Sequence, residues 1–197
     1  SVVLSSDGKT VAIGVDSNDS SGEYSGQVRV YQLNDSGQWV QVGADIDGEA
    51  EYDMSGYSVS LSGDGQTVAI GAPQNNGNGG DFTGHVRIYR LAANDQWAQV
   101  GADIDGEADY DESGYSVALS GDGQTVAIGA PYNQGNGDYS GHVRIYQLDA
   151  SDQWIQVGAD IDGEVAGDES GRSVSLSNDG RTVAIGATWN DGNGDSS

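Results

Sequence analysis

The 197 residues carry 31 Asp and Glu against seven Lys and Arg, a formal charge of −24, so the chain repels nucleic-acid phosphate and anionic membrane surfaces. With no Cys, neither a disulfide framework nor a thiolate metal site is possible. No apolar run approaches the ~18 residues that span a bilayer, and 32 Gly with only two Pro favour short strands joined by tight turns.

A block of residues recurs along the chain. Thr-Val-Ala-Ile-Gly begins at Thr10, Thr67, Thr125 and Thr182, spacings of 57, 58 and 57. Gly-Ala-Asp-Ile-Asp recurs in step at Gly43, Gly101 and Gly158, and a Val-Arg-(Val/Ile)-Tyr run at Val28, Val86 and Val143. A period of this size marks a modular array whose units share one continuous core.

In the second copy, Ser58 to Ser62 alternates apolar and polar residues, Gly63-Asp64-Gly65-Gln66 intervenes, and Thr67 to Gly71 resumes a strand pattern. Asp-Gly between alternating runs is a hairpin signal, because Gly accepts the positive φ of the turn. Asp7-Gly8, Asp122-Gly123 and Asp179-Gly180 repeat it.

A Gly/Asn-rich loop follows, beginning at Asn75, Asn133 and Asn190, and its composition suits turn geometry better than a second cation or glycan contact. The extra residue of the second copy falls here: Thr67 to Gly84 spans 17 positions where Thr10 to Gly26 and Thr125 to Gly141 span 16. Gly84 to Leu91 predicts a third strand, with Val86 and Ile88 on one face and His85, Arg87 and Tyr89 on the other. Gln96 to Ile104 predicts a fourth, whose Trp97, like Trp39 and Trp154, reads as packing between units rather than ligand stacking.

Four short strands per repeat without helical periodicity predict an all-β chain of four-stranded antiparallel blades of the β-propeller type. The expected blades are 1–57, 58–115 and 116–172, with the first two strands of a fourth over 173–197. More chain, another protomer or an open array would complete a ring.

The residues Gly56 to Pro73 and Gly114 to Pro131, each a Gly-Tyr-Ser-Val strand followed by a strand ending in Gly-Ala-Pro, resemble the FG-GAP repeat of integrin α-subunit propellers. Gly171 to Ala187 follows the pattern until Thr188 replaces Pro, and the first copy has Val15-Asp16 in place of Ala-Pro. The Phe-Gly start has become Ser-Gly-Tyr or Ser-Gly-Arg. The integrin-type calcium loop between the first two strands has shrunk to Ser-Gly-Asp-Gly, so its ligands have no counterpart. The resemblance implies an extracellular or cell-surface scaffold for protein or glycan binding.

The acidic segments after the fourth strand are the candidate site. Residues 45–56, 103–114 and 160–171 hold 16 of the 31 acids and no Lys or Arg. Carboxylates stand at relative positions 1, 3, 5, 7 and 9 in Asp103, Asp105, Glu107, Asp109 and Asp111, and at 1, 3, 5 and 9 in Asp45, Asp47, Glu49 and Asp53 and in Asp160, Asp162, Glu164 and Asp168. Calcium takes six to eight hard oxygens, and such spacing is one way to supply them. In an extended strand, positions 1, 3 and 5 spread over about 13 Å, so one ion could collect them only if the chain turns at the intervening Gly. The competing reading is an acidic edge that guards the blade rim against strand pairing.

An enzyme is not expected. The two His, His85 and His142, occupy equivalent repeat positions where the first copy has Gln27, and repetition argues for structure rather than for a catalytic base. Arg29, Arg87 and Arg144 recur as well and read as partners of a neighbouring blade's acids. The paired carboxylates of a glycoside hydrolase occur here in triplicate, with no copy set apart. Self-assembly into a filament or matrix is an alternative function. Asn18 and Asn34 are formal glycosylation acceptors, meaningful only in a eukaryotic secretory pathway.

Overall fold

The computed structural model describes residues 1–77 and 80–192. Asn78 and Gly79 of the Gly/Asn loop, and Asn193 to Ser197 of the last copy, lie outside the described residues.

All described regular structure is β. The first blade holds β1 (Val2–Leu4), β2 (Thr10–Val15), β3 (Gln27–Leu33), β4 (Trp39–Gln41) and β5 (Ile46–Asp47). The second holds β6 (Ser58–Leu61), β7 (Thr67–Ala72), β8 (His85–Leu91), β9 (Trp97–Gln99) and β10 (Ile104–Asp105). The third holds β11 (Ser116–Leu119), β12 (Thr125–Ala130), β13 (His142–Leu148), β14 (Trp154–Gln156) and β15 (Ile161–Asp162), followed by the hairpin of β16 (Ser170–Leu176) and β17 (Val183–Ala187). Every strand pair is antiparallel.

The expected fourth strand is broken in two. In the second blade β9 pairs with the end of β8 through Leu91 and Trp97, while β10 pairs with its start through Val86 and Ile104. The break falls at Gly101, whose φ of 74° is a left-handed conformation open to Gly at no steric cost. Each blade is therefore a four-stranded meander with an interrupted outer strand.

The Asp-Gly hairpins form at all four predicted places. In the second, the Gly65 amide donates to the Ser62 carbonyl at 3.0 Å, and the Asp64 carboxylate accepts from the Ser62 hydroxyl at 2.6 Å and the Gln66 amide at 2.9 Å. These turns also join successive blades. The Ser6 amide donates to the Gly63 carbonyl, Gly63 to Gly121 and Gly121 to Asn178. Successive first strands, β1, β6, β11 and β16, stand next to one another.

Alternation along the strands splits each blade into two faces. Val86, Ile88 and Ile104 of the second blade pack against Val117, Leu119, Val126, Ile128 and Tyr146 of the third. Equivalent cores join the first blade to the second through Val28, Val30, Leu61 and Ile70, and the third to the hairpin through Val143, Ile145, Val174 and Ile185. Burying each such side chain is worth about 1.5–3 kcal/mol, so the stack is held by what lies between blades.

Candidate functional site

The polar faces of the third strands β8 and β13 look at the preceding blade. Arg87 is buried; its Nη2 donates to the Asp47 carbonyl at 2.8 Å and its Nη1 lies 3.3 Å from Glu49 Oε1. Arg144 repeats this on the Asp105 carbonyl at 2.7 Å and Glu107 at 3.4 Å. The Arg residues thus pair across blades, as their repetition suggests. Arg29 turns instead to Asp45 of its own blade at 3.1 Å.

The tryptophans form a second link. Trp97 and Trp154 each donate from Nε1 across a blade junction, at 2.9 Å, to the carbonyls of Val42 and Val100. Trp39 is exposed.

The acidic segments do not close on themselves. Gly106 sits against the Thr83 backbone, where a Cβ would overlap the Thr83 carbonyl, and Gly48 and Gly163 make the same approach to Ser25 and Ser140. Pinned there, the run divides between two blade junctions. Asp103 and Asp105 face a cavity of about 400 Å³ that Glu49, Asp53, Asn75 and His85 also line. Glu107, Asp109 and Asp111 face the next junction, a cavity of about 540 Å³ lined with Asn133 and Gln134.

The carboxylates have separate surroundings. Asp53, Asp111 and Asp168, at position 9, are buried. Asp111 Oδ2 accepts from the Ala108 amide and from Asn133 Nδ2 of the next blade, both at 3.0 Å. Asp168 Oδ2 accepts from the Glu164 and Val165 amides at 2.9 Å and from Asn190 Nδ2 at 3.1 Å, and Asp53 Oδ2 accepts from the Ala50 amide at 2.9 Å. Asp47 accepts from Gln27 Nε2 and the Ser20 hydroxyl, both at 2.7 Å. Asp45 and Asp160 each accept from a Gln side chain, Gln41 and Gln156, at 2.6 Å. Asp162 and Glu164 are exposed.

Among the described residues, two groups bring three metal-ligating side chains within 4.8 Å of one another: Glu49, His85 and Asp103, and Glu107, His142 and Asp160. Each takes its Glu from one blade and its His and Asp from the next. Nδ1 of His85 lies 3.9 Å from Asp103 Oδ2, and Nδ1 of His142 lies 3.8 Å from Asp160 Oδ2. Burial, reinforced by Arg87 and outweighing the pull of Asp103 and Asp53, pushes the His85 imidazole down to about 4. Burial and Arg144 lower His142 in the same way, against Asp160, Glu107 and Asp111. The histidines are what carboxylate spacing alone misses. Their one signal is their recurrence at the same repeat position in the second and third copies.

An aromatic rim accompanies the exits. Tyr24 stacks with Tyr52 at 6.0 Å between ring centroids, and Phe82 meets Tyr110 at 5.9 Å. All four are exposed and all have φ between 49° and 68°. In the third blade Tyr139 has φ 56° and Gly167, with φ 88°, occupies the place of Tyr52 and Tyr110. The carboxylates of Glu23 and Asp81 accept from the Tyr52 and Tyr110 hydroxyls at 2.6 and 3.2 Å.

Residues 97–146 match the family model described as the FG-GAP repeat. No curated protein matches the sequence. Among solved structures, a putative 6-phosphogluconolactonase from Bacteroides uniformis superposes with a TM-score of 0.60 at 13% identity, over 95% of this chain. The chain spans 46% of that structure's length. The similarity is one of fold. It corrects the expectation that the chain is not an enzyme, since a protein described as an enzyme shares this architecture and repetition of the blades does not decide against catalysis. The chain is a stack of four-stranded antiparallel β-propeller blades, a repeat architecture in which residues 97–146 match the FG-GAP repeat.

Proposed function

We propose that the scaffold displays its aromatic rim to a glycan at the cell surface or outside the cell. The observation that carries this reading is the pairing of Tyr24 with Tyr52 and Phe82 with Tyr110, exposed rings held beside carboxylate acceptors at successive blades. A flat ring takes the apolar face of a sugar, and a neighbouring carboxylate accepts from its hydroxyls. Holding bulky side chains in the left-handed region costs about 1 kcal/mol or more each, a strain that clusters at functional sites. The charge of −24 favours a neutral or cationic glycan over an anionic one. The cell-surface setting rests on the likeness to integrin repeats.

Retardation of the protein in gels containing neutral polysaccharides tests this. The wild type should be retarded, and the double variant Tyr52→Ala, Tyr110→Ala should run freely while keeping its circular dichroism. No retardation by any neutral polysaccharide would sink the glycan reading.

Calcium belongs to the proposal as a stabiliser of the blade exits. Glu49, Asp53, Asp103 and Asp105 around one cavity offer the hard oxygens it takes, now drawn from two blades rather than one segment. Chelation should lower the melting temperature; an unchanged melt removes calcium from the account.

A further inference from the structure

Oxygen ligands alone leave the two histidines unused. His142 is 1% exposed, its Nε2 is buried without a hydrogen-bond partner, and its Nδ1 points at Asp160 from 3.8 Å, beyond hydrogen-bond reach. A buried ring nitrogen left without a hydrogen-bond partner costs stability. His85 is 2% exposed and its Nδ1 stands 3.9 Å from Asp103, one blade earlier. In the first blade Gln27 holds this position, donates from Nε2 to Asp47 at 2.7 Å and leaves its Oε1 buried without a partner.

We propose that the two blade junctions bind divalent cations of the zinc class, each through a histidine nitrogen and two carboxylates supplied by successive blades. The ligands are Glu49, His85 and Asp103 at one junction, and Glu107, His142 and Asp160 at the other.

Zinc takes imidazole nitrogen and carboxylate oxygen at about 2.0–2.2 Å, and three protein ligands leave a position for water. Two ligands on one tetrahedral ion of this kind stand roughly 3.3–3.6 Å apart, so the Glu and Asp side chains draw in by about 1.5 Å at most to close a group whose atoms already lie within 4.8 Å. Calcium and magnesium, which prefer oxygen throughout, gain little from the imidazole. Arg87 and Arg144 pair with the glutamates at 3.3 and 3.4 Å and so orient them, an outer-shell role. Their charge opposes the ion, but Asp53 and Asp105 at the first cavity and Asp111 at the second restore a negative field. A cation held this way staples one blade to the next.

Calorimetric titration of the metal-free chain with zinc chloride at neutral pH tests the proposal. Two equivalents should bind and raise the melting temperature. His85→Gln with His142→Gln, which copies the residue of the first blade, should weaken zinc at least ~10-fold and leave any calcium-dependent shift intact. A wild type that binds no zinc, or a double variant that binds it equally well, overturns the proposal. Nitrogen NMR of the unmutated chain gives the same answer without a variant: zinc should shift the imidazole nitrogens of both histidines. If calcium moves them equally, or if zinc binds without moving them, the sites are not of this class.

Discussion

Trp97 donates its indole N–H to the carbonyl of Val42 across 55 residues of sequence and one blade junction, at 2.9 Å. The carbonyl is free to accept because the outer strand of the first blade breaks beside it, at Gly43. A Cβ on Gly43 would come within 2.6 Å of Trp97 Cδ1. The break in one blade is thus the seat for the tryptophan of the next.

Gly43→Ala and Gly158→Ala separate the two components of that fit. Both positions have positive φ, 74° and 80°, so both variants lose about 1–2 kcal/mol to left-handed backbone strain. Only Gly43 meets the indole; at Gly158 a Cβ has nothing within 4 Å. Denaturant melts should therefore show G43A less stable than G158A by at least ~1 kcal/mol, in the range of overpacking costs. Equal losses would mean that the seat is not tight.

Arg87 and Glu49 should respond unequally to substitution. Arg87→Ala removes a charged hydrogen bond to the Asp47 carbonyl, worth about 1.5–3 kcal/mol, together with the packing of a buried stem. Glu49→Gln keeps that bond and loses only a pairing at a half-exposed carboxylate, less than about 1 kcal/mol. Urea midpoints in metal-free buffer give the ratio.

Acid should loosen the first and last hairpins. The Lys9 amide and the Ser5 hydroxyl hold the Asp7 carboxyl below its usual value of 3.8, and the Ser177 hydroxyl and the Arg181 amide hold Asp179 below the same value. A depressed carboxylate stabilises the folded turn above the unfolded value, and this is lost as pH falls through the lower folded one. Amide exchange at Lys9 and Arg181, corrected for intrinsic rate, should accelerate only below about pH 4. In Asp179→Asn that acid step should vanish at Arg181.

The hairpins, the two-faced third strands and the inter-blade role of Trp97 and Arg87 were legible because each depends on local pattern: Asp64-Gly65 sets a turn, and Val86-Arg87-Ile88 sets two faces. The break at Gly101 was not, since Gly within an apolar strand pattern carries no mark of the residue that will fill the gap. The fate of the acids was hidden for a related reason. Whether Asp105 and Glu107 share an ion depends on Gly106 lying against Thr83, a contact between separated segments that spacing cannot encode.

Asp111 gives the junction a further test. Its carboxylate, 1% exposed, accepts from the Ala108 amide within its own exit segment and from Asn133 of the next blade. Asp111→Ala orphans both donors and should cost about 2–4 kcal/mol, one desolvation penalty for each. Asn133→Ala removes one of those donors and also the Oδ1 that accepts from the Gly135 amide at 2.8 Å, so it too should destabilise. The double variant should be less destabilised than the sum, because an orphan created by one change is deleted by the other.

Tyr110 and Gly167 occupy the same place in successive blades with the same sign of φ, 64° and 88°, so the backbone asks for a left-handed residue and glycine is the unstrained answer. Tyr110→Gly should relieve about 1 kcal/mol of strain, lose the ring contact with Phe82 and the bond to Asp81, and leave the melting temperature within a few degrees of the wild type. Retardation by neutral polysaccharide should nevertheless weaken. A tyrosine kept for stability would behave in the opposite way, with a large drop in melting temperature and unchanged binding. The pair of measurements therefore decides whether the strained aromatic rim is there for the blade or for its ligand.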